Sequence, residues 1–291
     1  MKPLQLAAML SIGASLCGCA ANLKAVRDFA GETKHITVAF DPMLDGTVEQ
    51  CRQRVVFKGI YTSDMPLAKF APTELSKQAQ ATCQPIADKN ADAKKMGVVL
   101  AEYADRLTTL AGDDVSASLD DDADALAAKI GSLDVVPADK LDAVNRLIKY
   151  VTRAVIAQQQ KRAIAETLDH EEAVGALGDG MVVYARRAYG GNVNDRRRDI
   201  QVVGDSFRAA EIAAQPWLAR SQLMDLQRQD QQLADQQAAI DAFARSVAQM
   251  KVAMHDLRIN LDKLSDKERR QEILKLAKEV RSLFQQIQKT F

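Results

Sequence analysis

A chain of 291 residues with one Trp, five Tyr, eight Phe and only seven Pro has the composition of a helical protein rather than of a β-sandwich or barrel. The formal net charge of zero excludes a bulk electrostatic attraction to nucleic acid, so we expect no nucleic-acid partner. The charge is unevenly spread: residues 19–195 carry 21 Lys and Arg against 26 Asp and Glu, and residues 196–291 carry 17 against 13.

Residues 1–18 have the organisation of an export signal. Met1 and Lys2 form a short positive region, and residues 4–16 form an apolar segment that is too short to span a bilayer as a helix. The segment ends in Leu16-Cys17-Gly18-Cys19. A zinc or redox role for this cysteine pair is disfavoured, because the sequence contains no second half-site.

This tetrapeptide resembles the lipobox of bacterial lipoproteins, in which a branched apolar residue, a small residue and Gly or Ala precede the modified cysteine. Only Cys19 fits that frame, because Cys17 is preceded by the large Leu16. The resemblance implies cleavage after Gly18 and attachment to a membrane through lipid on Cys19, on the periplasmic face of the cell envelope. It also implies the outer rather than the inner membrane, because Ala20 replaces the aspartate associated with inner-membrane retention.

The remaining cysteines then form an even pair. With Cys17 removed and Cys19 lipidated, only Cys51 and Cys83 are left, and an exported compartment is oxidising. We therefore expect a disulfide between them that closes a loop of about 32 residues. The alternative is two buried free thiols.

The region that follows the predicted anchor gives the weakest structural signal. We expect residues 19–35 to form a polar tether. Residues 36–62 leave two alternatives open: the β-branched stretches 36–40 and 54–57 favour a small β or irregular element, whereas residues 46–51 would also suit a short helix.

From Thr73 onward the apolar spacing predicts helices. One stripe with intervals of three and four residues lies within 91–111, and its members are Met96, Val99, Leu100, Tyr103, Leu107 and Leu110. Similar stripes follow within 138–168 and 171–189. We expect residues 36–195 to form a helical domain whose N-terminal part is held by the disulfide.

Residues 196–291 contain a heptad pattern. Its a positions are Leu226, Leu233, Ile240, Val247, Met254 and Leu261, and its apolar d positions are Phe243, Met250, Leu257 and Leu264. A second apolar stripe lies within 266–289. The pattern predicts a long antiparallel helical hairpin of coiled-coil character that packs on 36–195, within a mainly α, elongated helical bundle.

The first half of the heptad seam is polar and leaves two interpretations. Leu226 and Leu233 alternate there with Gln229 and Gln236. The seam is then either part of the intramolecular core or a surface through which the 216–264 helix meets a partner protein or a second copy of the chain.

No catalytic constellation is evident in the sequence. The run 169–172, Asp-His-Glu-Glu, is better explained as a solvated helix start than as a metal site. Gly175, Gly178 and Gly180 resemble a phosphate-binding loop only superficially, because no predicted strand precedes them. We expect no enzyme activity, no metal and no cofactor, and we expect Trp217 to anchor the start of the long helix in the core.

These observations support two hypotheses about function. The first is a lipid-anchored, non-enzymatic scaffold or interaction module of the cell envelope. The second is a lipoprotein that binds a small molecule or lipid between its helices, in a cavity lined by Met96, Tyr103, Val151 and Tyr184.

Overall fold

The structure is a computed structural model that describes residues 4–62, 66, 69–112, 123–152, 160–209, 216–264, 267–288 and 290. Side chains of residues 1–22, including Cys17 and Cys19, lie outside this description. The helices are α1 (Leu4–Tyr61), α2 (Pro72–Leu110), α3 (Ala123–Gly131), α4 (Leu141–Val151), α5 (Gln160–Leu168), α6 (Glu171–Tyr184), α7 (Gly191–Ala209), α8 (Pro216–Ile259) and α9 (Lys267–Gln288). A π-helical segment, Ala185–Gly190, joins α6 to α7. The prediction of a mainly α, elongated bundle is confirmed.

Helix α1 is the central element of the bundle. It packs against α2 along much of its length and also contacts α7, α8 and α9. Two threonines on its buried face donate their hydroxyl protons to carbonyls one turn earlier: Thr33 to Phe29 at 3.0 Å and Thr47 to Met43 at 2.8 Å. These local bonds satisfy the hydroxyl groups, so the helix can bury an almost continuous face.

The prediction of a β or irregular element at 36–62 is wrong, because this range lies in α1 up to Tyr61. In a strand, residues 36, 38 and 40 would share one face. Instead Ile36 and Phe40 are fully buried, whereas Val38 is 54% exposed, which is the spacing of a helix. Burial against neighbouring helices outweighs the modest preference of β-branched residues for strands.

The prediction of a polar tether at 19–35 is also wrong for its described side chains. Ala25, Val26, Phe29 and Ala30 are buried and belong to the main core. The charged residues between them are also used: Arg27 donates to the carbonyl of Ala111 beyond α2. The segment is a helix whose apolar residues recur on one buried face. The polar residues between them make this pattern hard to recognise in the sequence.

Cys51 of α1 and Cys83 of α2 form the predicted disulfide, with their Cα atoms 5.9 Å apart. Both residues are buried. Seven residues further along α2, the amide of Asn90 donates to the carbonyl of Leu44 and accepts a hydrogen bond from the Tyr184 hydroxyl at 2.9 Å. Covalent and polar contacts therefore hold α2 to α1, and a hydrogen bond holds α2 to α6.

One main core contains residues of both predicted ranges, 36–195 and the 196–291 segment that we expected to pack on it. At its centre the Phe40 ring lies 5.7 Å from Phe243 of α8 and 6.4 Å from Tyr184 of α6, measured between ring centroids. Helix α9 packs against α8 and α1, and its Phe284 stacks on His35 of α1. The two ranges therefore share a core rather than each having its own.

The glycines of α6 allow close helix packing. A Cβ atom placed on Gly178 would lie 2.8 Å from Cγ1 of Val247 in α8. One placed on Gly180 would lie 3.2 Å from Val136 and 3.3 Å from the sulfur of Met96. This explains the glycine spacing as a packing feature of a buried helix.

Gly178→Ala is expected to lower the free energy of unfolding by about 1–3 kcal/mol, because the new methyl group would overpack the contact with a stiff valine. Gly175→Ala is the matched control on the same helix, since its Cβ would meet only the flexible Lys251 side chain, at 3.6 Å. That variant should be more stable than wild type by about 0.5–1 kcal/mol through helix propensity. Urea unfolding measures both, and equal effects would contradict the packing role.

Candidate docking groove between α7 and α8

The predicted interaction seam is covered by the chain itself. Leu226 and Leu233 are only 3% and 2% exposed. They belong to a second apolar cluster with residues of α1, the π-helical segment and α7: Phe57, Tyr189, Val193, Ile200 and Val203, together with Ile240 of α8. The interpretation of these two leucines as a surface for another chain is therefore wrong.

The two glutamines of the seam also bind within the chain. Gln229 accepts a hydrogen bond from Arg196 of α7 at 2.9 Å, and Gln236 accepts one from Gln50 of α1 at 3.0 Å. Arg196 also donates to the side-chain oxygens of Gln50 and Gln53. Burial lowers the pKa of Arg196, and the charge of Glu49 opposes that shift. The polar half of the seam is thus a partly buried network that joins α1, α7 and α8.

An open groove of about 870 Å³ lies between α7 and α8 beside this cluster, and we call it the arginine groove. Its floor includes Ile200 and Gly204 of α7 with Leu223 and Leu226 of α8. Four arginines line it: Arg197, Arg198, Arg208 and Arg220, with Asp230 as the one lining carboxylate among the described residues. The groove therefore combines an apolar floor with cationic walls.

These arginines differ in how firmly they are held. Arg197 binds Asp230 through two nitrogens, at 2.8 and 3.2 Å, and this hydrogen bonding raises its pKa. Arg198 and Arg208 form exposed ion pairs with carboxylates three residues earlier on α7. Arg220 has no partner among the described residues. Exposed pairs of this kind contribute at most about 1 kcal/mol, so their guanidinium groups can exchange partners at little cost.

An exposed apolar stripe lies beside Arg220. Trp217 is 68% exposed and Met224 is 62% exposed, and with Arg220 they follow the spacing of one helix face. The expectation that Trp217 anchors α8 in the core is wrong. The partly buried Tyr61 contacts this end of the α7–α8 pair: its ring packs edge-on against Phe207, and its hydroxyl donates to Gln222 of α8 at 2.9 Å.

The contacts of Tyr61 place the arginine groove at the C-terminal end of α1. Helix α1 is continuous from the predicted lipidation residue, Cys19, to Tyr61. At 1.5 Å per residue, this span is about 60 Å along the helix. The groove and the predicted anchor therefore lie at opposite ends of the central helix.

The acidic run 169–172 joins α6 to its neighbours. Glu171 binds His255 at 2.9 Å and Arg258 at 2.8 Å, both on α8, and Glu172 binds Lys140 at 2.6 Å. Within the described part of the chain, no three His, Cys, Asp or Glu residues form a group that could hold a metal ion. The run therefore acts as a set of helix-to-helix ion pairs, which sequence alone did not reveal.

His170 gives the fold a pH-dependent contribution to stability. Its ring packs against Tyr150 with centroids 4.5 Å apart. Burial lowers the pKa of His170, as do Arg106 and Arg146, and the charges of Glu166 and Asp169 only partly oppose this shift. The folded state therefore disfavours the charged ring, so stability present above the ordinary histidine pKa is lost as the pH falls through it.

We expect the wild type to lose more unfolding free energy than His170→Phe between pH 7.5 and pH 5. Urea titrations at both pH values measure this difference. His170→Asn also cannot titrate but has no ring, so comparison with His170→Phe separates the effect of losing the charge from the effect of changing the ring packing. An identical pH dependence in all three proteins would contradict the assignment.

The four residues predicted to line a ligand cavity lie within packed elements. Met96 and Tyr103 are fully buried, and the Tyr103 hydroxyl contacts the sulfur of Met254 at 3.8 Å. Val151 is buried at the end of α4. Tyr184 is the one member of the set that borders a described surface groove, of about 560 Å³. The structure does not bring the four side chains together around one described cavity.

Comparison of the chain with known proteins gave no match to any protein-family model, curated protein or solved structure. Within the described ranges, no helix is both long and apolar enough to cross a bilayer.

Proposed function

We propose that the protein is a lipid-anchored, non-enzymatic interaction module of the bacterial cell envelope, held on the periplasmic face of the membrane by lipid on Cys19. It presents the arginine groove to a protein partner at a distance from the membrane. The observation that carries this proposal is the continuity of α1, which begins before Cys19 and ends at Tyr61 beside the groove.

Two features support export and anchoring. The Leu16-Cys17-Gly18-Cys19 tetrapeptide follows a positive and then an apolar segment, as a lipobox does. The Cys51–Cys83 disulfide suits an oxidising compartment such as the periplasm. Ala20 after the modified cysteine favours the outer membrane.

The packing of α1 supports a spacer role. Its side chains are buried in the main core from Ala25 onward, only six residues after Cys19. This interval is about 9 Å of helix, so the lipid would be attached close to the body of the bundle. A short helical connection of this kind favours a defined direction for the groove relative to the membrane.

The contents of the groove support interaction as its role. Arg220, which has no partner in the part of the chain that the structure describes, lies at the same end of the molecule as two weakly paired arginines and an exposed tryptophan. Arginine and tryptophan are enriched among the residues that dominate protein interfaces. The charged groups at 169–172, in contrast, are already used in ion pairs between helices.

Cys19→Ser tests the anchor. We expect the wild-type protein to be labelled by palmitate and to sediment with membranes, and the variant to be unlabelled and not to sediment. Cys17→Ser is the matched control, two residues away and within the predicted signal, and it should behave as the wild type. Unchanged sedimentation and labelling of Cys19→Ser would refute the lipoprotein assignment.

Photo-crosslinking in cells tests the interaction role. A photoreactive residue at Gln227, which lines the groove, is expected to give a discrete adduct with another protein. The control position is Val252, which is exposed on α8 but does not line the groove. The absence of an adduct specific to Gln227 would contradict the proposal.

A further inference from the structure

We propose that the arginine groove binds an acidic amphipathic helix of a partner protein. This inference rests on the proposed function, since it names the chemistry of the partner at the same site. Both the shape and the charge of the groove support it.

The shape of the groove suits a third helix that packs against both α7 and α8. Its lining extends from Asn194 to Arg208 on α7 and from Arg220 to Asp230 on α8. These spans are about 21 Å and 15 Å at 1.5 Å per residue, the length of a helix of roughly 10–14 residues. An amphipathic helix in such a groove places its apolar stripe on the floor, where Leu223 is only partly buried and Gly204 carries no side chain.

The charge of the groove favours a partner helix that carries acidic residues beside its apolar stripe. Arg220 is free to bind a carboxylate with both of its terminal nitrogens, a geometry that guanidinium groups favour. Arg198 and Arg208 can exchange their exposed intrahelical partners for carboxylates of the ligand. Arg197 stays committed to Asp230, so we expect three ion pairs at most.

Trp217 provides an anchor at the mouth of the groove. It lies three residues before Arg220 and seven before Met224, so the three side chains point in similar directions from α8. A tryptophan that is exposed in the free protein and covered in the complex is typical of a residue that dominates binding energy.

The geometry favours a helix over a lipid surface as the occupant. A flat membrane would contact the convex outer faces of α7 and α8, whereas the four guanidinium groups line a concavity. A helix can enter that concavity and reach the guanidinium groups on both sides, whereas a flat bilayer cannot. The test must therefore distinguish binding to an acidic helix from binding to lipid vesicles.

The test uses the mature chain with Cys19→Ser and a designed, fluorescently labelled 14-residue helical peptide with a leucine stripe flanked by glutamates. Fluorescence anisotropy should show saturable binding that weakens as salt increases. The matched peptide with lysines in place of the glutamates should bind to the protein at least tenfold more weakly. Vesicles that contain anionic phospholipid should also bind to the protein at least tenfold more weakly than the acidic peptide does.

Two groove variants and one control complete the test. Arg220→Glu should weaken peptide binding at least tenfold. Gly204→Leu should also abolish binding while keeping all four arginines, because a Cβ there fits at 3.8 Å from its nearest neighbours and the rest of the side chain would fill the groove. Arg228→Glu should bind as the wild type, since Arg228 pairs with Asp225 and does not line the groove.

Three results would overturn the inference: equal binding of the acidic and basic peptides, binding that survives Gly204→Leu, or vesicle binding without peptide binding. Each of these results can be distinguished from a result that refutes the proposed interaction module or its lipid anchor. A Gln227 adduct in cells without peptide binding would refute the acidic-helix inference alone. Membrane sedimentation of Cys19→Ser would refute the lipid anchor whatever the peptide does.

Discussion

Replacement of Phe40 by alanine is expected to lower the free energy of unfolding by about 3–5 kcal/mol. The Phe40 ring is fully buried and lies between the rings of Phe243 and Tyr184, so it joins α1 to α8 and α6. Removing it leaves a cavity at the point where the three helices meet, and the main chain of long helices cannot easily move to fill it. Urea unfolding followed by circular dichroism measures the effect.

Val38→Ala is the control for this prediction. Val38 is on the same helix two residues earlier, and its side chain is 54% exposed, so we expect a change within about 0.5 kcal/mol. The pair also separates a helix from a strand, because residues 38 and 40 would share a face in a strand. Losses of similar size in both variants would contradict the helical assignment of this segment.

The region around Phe40 shows why part of the fold could not be predicted from the sequence. Helices α2, α4 and α8 carry apolar residues at regular intervals of three and four, and this spacing is sufficient to predict them. In α1 the buried face includes polar residues such as Thr33 and Thr47, whose hydroxyls bond to carbonyls one turn earlier. The polar side chains interrupt the apolar pattern although they do not interrupt the helix.

The candidate site was predicted only in part, for a different reason. The heptad spacing identified Leu226, Leu233, Gln229 and Gln236 as one seam, and the structure does place them on a common side of α8. What covers that seam depends on distant residues: Gln50, which is 186 residues from Gln236, and Arg196, which is 33 residues from Gln229. Sequence periodicity shows which residues share a face but does not identify the partner of that face.

The run Arg196-Arg197-Arg198 illustrates the same limit. As a sequence it suggests a solvated charged loop, but it lies within α7, where successive residues point about 100° apart. Arg196 therefore enters the partly buried glutamine network, whereas Arg197 and Arg198 line the groove. Arg196 lies on the same helix face as Val193, Ile200 and Val203, which are buried, so it is the arginine that points inward.

Removal of the disulfide is expected to be the second large effect. In the loop-closure model, the 32-residue separation of Cys51 and Cys83 corresponds to about 3–4 kcal/mol of stability, through the entropy of the unfolded chain. We expect the free energy of unfolding of the Cys51→Ala/Cys83→Ala variant, measured by urea titration, to be lower than that of the oxidised wild type by this amount. The mutated side chains are small, so loss of packing adds little to the difference.

Reductant supplies the control, because it should lower the stability of the wild type towards that of the double variant and leave the double variant unchanged. The difference in stability between the oxidised and reduced forms also bears on the proposed export. Protein retained in a reducing cytosol would lack the cross-link between α1 and α2, and only the exported form would gain it. Two free thiols titrated in protein purified from the periplasm, together with an unchanged unfolding midpoint in the double variant, would contradict both the stabilising role and the argument from the disulfide to export.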